Sequence, residues 1–143
     1  MDALSPQAPI ERQVMLADGR TEEVWPLSLD RDFLRALFTE LFGKHWDRLT
    51  WGPLIPGAAY EPKCPGEPEK IGFSDLGYLT IHWGARGHFH LCLGAGPGMA
   101  PDLARQRSPS RVELVRRLDG DENPISWSLG MFGSSCSTTA SSG

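Results

Sequence analysis

Between residues 33 and 42 the apolar side chains Phe33, Leu34, Leu37, Phe38, Leu41 and Phe42 recur at i, i+1, i+4, i+5, i+8 and i+9. That is one stripe on a 3.6-residue period, and it predicts an amphipathic helix over about 29–42. Ser28 or Asp30 can supply the N-cap oxygen, Asp32 sits where the helix dipole favours negative charge, and Gly43 fits a left-handed stop. A core-packing role accounts for all six apolar residues, so none of them is assigned a function.

Elsewhere the pattern shortens to period two. Val14-Met15-Leu16 and Glu23-Val24-Trp25 read as a hairpin turned by Asp18-Gly19. Trp46–Trp51, an edge strand near Ala58–Glu61, Lys70–Phe73, Tyr78–Trp83 and His88–Leu93 read as strands. Val112–Leu118 and Ile125–Phe132 read as a final hairpin around Asp119–Pro124. Pro101–Arg107 suits a short second helix with proline in its first turn. Five prolines between Pro53 and Pro68 exclude a continuous central strand there. The sum is an α+β fold: a single domain, a mostly antiparallel sheet, one long amphipathic helix (about 29–42) and a short helix (about 101–107). Residues 1–12 are expected to be a flexible N-terminal arm, 13–133 the domain, and 134–143 a disordered Ser/Thr/Cys-rich tail.

Composition agrees with this outline. The 143 residues suit one domain, and 16 Gly with 12 Pro exclude a coiled coil or simple bundle. Net charge is −4, which sets the chain apart from generic nucleic-acid binders. The basic residues are 11 Arg against 3 Lys, the bias of a GC-rich coding sequence. Arg105, Arg107, Arg111, Arg116 and Arg117 cluster against Glu113 alone, as a solvated face or an anion or partner site. No charged start followed by an apolar run and no 18-residue apolar stretch is present, so neither a signal peptide nor a membrane span is expected. Cys64, Cys92 and Cys136 are odd in number, widely spaced and without a CxxC pair, which points to a reducing, cytoplasmic setting.

The candidate chemistry lies in residues 78–98, YLTIHWGARGHFHLCLGAGPG. Side chains on a strand alternate between faces, so His88, His90 and Cys92 share one face, opposite Phe89, Leu91 and Leu93. A three-residue loop, Ala85-Arg86-Gly87, needs positive φ only at Gly87. It would set Gly84 opposite His88, His82 opposite His90 and Thr80 opposite Cys92. A four-residue loop would remove His82 from the cluster. His82, His88, His90 and Cys92 together are therefore a candidate set of ligands for zinc or iron with an open coordination position. His88, His90 and Cys92 are also candidate catalytic residues, through a metal-activated water or a His-assisted thiolate. The solvated alternative is an ordinary half-exposed strand with Cys92 as a small buried hydrophobe. His45 and Cys64 stay outside this cluster as unplaced further donors.

Gly94, Gly96 and Gly98 precede the second helix and could cradle an anion with Arg105 and Arg107 as helpers, although Pro97 removes one donor and no P-loop pattern is present. The expected partners are a small molecule or metal ion, with a homo-oligomer or partner enzyme in reserve, and neither nucleic acid nor membrane. The tail SSCSTTASSG resembles, by composition alone, the core peptides of ribosomally made modified peptides. That resemblance implies a precursor or accessory protein as the alternative to a ligand-binding domain or minor pathway enzyme.

Overall fold

The helical stripe seen in the sequence forms α1, Arg31–Lys44, whose buried residues are Leu34, Phe38 and Phe42. The computed structural model describes residues 11–133 and the backbone of 137–142. Asp30 caps α1 by accepting from the Asp32 N–H at 3.3 Å. Gly43 was expected to stop the helix. It stays inside instead, and the last turn closes when the His45 N–H donates to the Leu41 carbonyl at 2.9 Å.

The strands are β1 (Arg12–Met15), β2 (Thr21–Pro26), β3 (Leu49–Ile55), β4 (Ala58–Ala59), β5 (Lys70–Phe73), β6 (Tyr78–His82), β7 (His88–Cys92), β8 (Arg111–Leu118), β9 (Pro124–Phe132) and β10 (Ser137–Ser142). The second helix, α2, is Pro101–Arg107. The strands form two antiparallel sheets, a seven-stranded one in the order β1-β2-β8-β9-β10-β3-β4 and a three-stranded one in the order β5-β6-β7. The fold is thus α+β in one domain, with two sheets in place of the single one expected. One hydrophobic cluster joins Leu34, Phe38 and Phe42 of α1 to Leu79, Ile81 and Leu91 of the small sheet and to Leu49, Val112, Leu129 and Met131 of the large one. The two sheets therefore share α1 and one core.

Three local expectations are corrected. Trp46–Arg48 form a 3-10 turn, and the strand begins only at Leu49. Arg12 is not part of a loose arm, because it starts β1 opposite Val24 and its guanidinium pairs with Glu113 at 3.1 Å. Residues 1–10 lie outside the described ones.

The third correction concerns the tail. Ser137–Ser142 form β10, paired to β9 on one side and β3 on the other, so that Ala140 stands between Leu129 and Trp51 in register. Strand ladders are made by main-chain groups, and a Ser/Thr segment can join them without an apolar face. The remainder of the tail, including Cys136, lies outside the described residues.

Four of the five arginines of the cluster are ion-paired within the fold, and Arg107 donates to the Tyr78 hydroxyl instead. Arg111 and Arg12 both pair with the buried Glu113, Arg116 with the buried Glu23 at 2.5 Å, Arg117 with Glu22 at 2.7 Å, and Arg105 with Asp102. Arg116 also lies 5.5 Å from the ring centroids of both Trp25 and Trp127. Strand pairing of β8 with the acidic β2 produces this arrangement, with Glu22 opposite Arg117 and Glu23 opposite Arg116.

Candidate functional site

The period-two alternation of β6 and β7 does what its sequence implies. Leu79, Ile81 and Leu91 point into the core, and Tyr78, Thr80, His82, His88, His90 and Cys92 occupy the opposite face. Pairing sets these residues in rows across the sheet. The first row is Lys70, His82 and His88; the second is Gly72, Thr80 and His90; the third is Tyr78 and Cys92. His88 and His90 are exposed, and His82 and Cys92 are half-buried.

The register differs from the expected one by two residues. His82 faces His88, and Thr80 rather than His82 faces His90. Trp83 continues the inward alternation of Leu79 and Ile81: it is 2% exposed and donates its indole N–H to the Gly66 carbonyl at 2.9 Å. Its main chain stays bridged across the hairpin, the N–H donating to the Gly87 carbonyl at 2.9 Å, and Gly84–Arg86 make a 3-10 turn. The connection lengthens to five residues and closes with Gly87 at φ 112°, the left-handed conformation that favours glycine. A shift of two residues preserves the face, so His82 remains with the other histidines.

Within the patch the ring centroids of His82 and His88 are 5.9 Å apart, and those of His88 and His90 are 4.7 Å apart. Thr80 Oγ1 lies 2.7 Å from His90 Nδ1. This contact orients the His90 ring and leaves its Nε2 outside the Thr80 contact. Cys92 faces Tyr78, whose hydroxyl accepts from Arg107 Nη1 at 3.0 Å. Among the described residues no group of three or more His, Cys, Asp or Glu side chains is gathered closely enough to hold a metal ion as it stands.

The glycine segment has a different role from the anion cradle expected of it. The Gly96 N–H donates to the Leu76 carbonyl at 3.1 Å and the Gly98 N–H to the Asp75 carbonyl at 3.2 Å. A Cβ on Gly96 would lie 2.0 Å from the Asp75 oxygen. Gly94, Gly96 and Gly98 therefore belong to a loop packed backbone to backbone on the β5–β6 turn. Arg105 is held by Asp102 on its own helix. The N–H groups of Gly96 and Gly98 are thus already engaged within the fold.

The two other expected donors are elsewhere. His45 caps the end of α1. Cys64 packs against the core beside Trp51, and burial pushes its thiol up to about 11, against smaller lowering by its own backbone N–H and by Trp51. A thiol held protonated is a poor nucleophile at neutral pH.

The sequence did not single out Lys70, Tyr78 or Arg107 for this face. Tyr78 follows from the same alternation as His82. Lys70 needs the β5–β6 register, and Arg107 needs the position of α2; no local signal marks either.

No helix among the described residues is long and apolar enough to cross a membrane. No match was found among the curated proteins or among the solved structures. A family model does match residues 11–139, which span the fold from just before β1 into β10. The chain belongs to DUF7676, a family of unknown function.

Proposed function

We propose that the protein is a ligand-binding domain whose site is the outer face of β6 and β7, where His82, His88 and His90 take a borderline divalent cation such as Zn²⁺. The observation that carries this reading is the run of three neighbouring imidazoles on one accessible face, with ring separations of 5.9 and 4.7 Å. A nitrogen donor set of this kind suits zinc, nickel or copper. The strand positions of the face include no Asp or Glu, which disfavours magnesium and calcium. When the Nδ1–H of His90 donates to Thr80, its Nε2 presents a lone pair, the tautomer a ligand needs. The histidine rings stand at the surface and can rotate to meet on a cation, so the affinity is expected in the micromolar range. Cys92, one row beyond His90, is a donor of second rank.

Titration of the purified protein with Zn²⁺ and Ni²⁺ by calorimetry tests this. His88→Ala is expected to weaken binding about tenfold, a loss of roughly 1.4 kcal/mol. No saturable binding below millimolar cation, or binding indifferent to His88→Ala and His90→Ala, overturns the proposal.

The precursor reading of the tail receives less support. Ser137–Ser142 lie between two strands, with their main chain engaged on both sides. A modifying enzyme would first have to strip this strand from the sheet.

A further inference from the structure

Resting on the cation-binding reading, we infer that Lys70 completes the site as an anchor for a small carboxylate held jointly with the cation. Three facts point the same way. Lys70 stands directly across from His82, in the same row as His88. Its neighbour on the same face is Gly72, which leaves a gap beside Thr80, and a Cβ built there would touch Lys70 Cε at 3.9 Å. The lysine stem thus leans over the glycine, toward the row of Thr80 and His90. The face also carries no acidic strand residue, while Arg107 sits at its far end on Tyr78.

Three neutral imidazoles leave a bound dication with its full charge. An ammonium beside it adds to that charge, and no carboxylate of the face offsets it. A small oxygen anion placed between cation and lysine satisfies both, filling the coordination positions that three protein ligands leave open. Lys70 is then a specificity residue: it weakens the bare cation and strengthens the cation–anion pair. Thr80, beside the gap left by Gly72, bounds the space the anion occupies.

The test uses the full chain loaded with Co²⁺, with acetate as the probe. Acetate affinity is read from the visible Co²⁺ spectrum, and from equilibrium dialysis of labelled acetate with and without the cation. Acetate is expected to bind the loaded protein at least tenfold more tightly than the cation-free protein. Lys70→Met is expected to weaken acetate about threefold, the size of one exposed charge pair, while binding Co²⁺ as tightly as wild type or more so. Lys70→Arg should retain the effect. Absence of Co²⁺ binding overturns the cation reading and the inference with it. Co²⁺ binding that acetate leaves unperturbed, or an acetate effect that Lys70→Met does not change, overturns the inference alone.

Discussion

Phe42 joins α1 to both sheets. It is 1% exposed, and its ring lies 6.4 Å from Trp51 of the large sheet, 6.3 Å from Trp83 and 6.2 Å from Phe89 of the small one. Replacing it by alanine removes most of a side chain that buries about 150–250 Å², worth roughly 4–6 kcal/mol at 25 cal/mol/Å². Alanine keeps the share of its Cβ, which leaves about 4 kcal/mol, within the range for buried Phe→Ala changes. Loss of three ring contacts places the value in the upper half of that range. For a chain of this size the melting temperature should fall by about 15 °C. Urea unfolding followed by tryptophan fluorescence measures the change, with Trp51 and Trp83 as reporters beside the altered site. Thr39→Ala, on the exposed side of the same helix, is the control and should stay within about 0.5 kcal/mol of wild type. A loss for Phe42→Ala below about 1.5 kcal/mol would refute the claim that this ring joins the sheets through α1.

Three further outcomes are expected. Ala140→Pro removes an N–H from a strand paired on both sides and should cost about 2–3 kcal/mol by calorimetry, whereas a free tail would register nothing. Arg116→Met leaves the buried Glu23 carboxylate without its partner and should destabilise by about 3 kcal/mol, while the pair Glu23→Leu with Arg116→Met should recover most of that loss. Because burial raises the Cys64 thiol from 9.0 to about 11, the folded state holds a proton that the unfolded chain releases between those values. Stability should therefore fall as pH rises from about 9 toward 11, and Cys64→Ala should flatten that decline in unfolding curves across the interval.

Much of this fold is legible in the residues themselves. The stripe from Phe33 to Phe42 dictates α1, Asp30 caps it, and Pro101 opens α2 where expected. Alternation over 78–82 and 88–92 sets which side chains share a face, because that depends only on the period of a strand. Hence the grouping of His82, His88, His90 and Cys92 survives an incorrect register. Gly87 adopts the positive φ that its place after Ala85-Arg86 implied.

What the residues could not decide are the choices made by distant partners. Trp83 donates its main-chain N–H to the Gly87 carbonyl across a 3-10 turn while its ring is held in the core and on Gly66, and in that pairing His82 faces His88 rather than His90. Gly96 reads locally like an anion cradle, yet the carbonyls of the β5–β6 turn take its donor. Ser137–Ser142 have no apolar pattern of their own and become a strand only because β9 and β3 present free edges on either side. Local period is a property of the chain and fixes elements and faces. Register, strand neighbours and the use of each hydrogen-bonding group are settled by competition among segments far apart in sequence, and only the tertiary structure brings those competitors together.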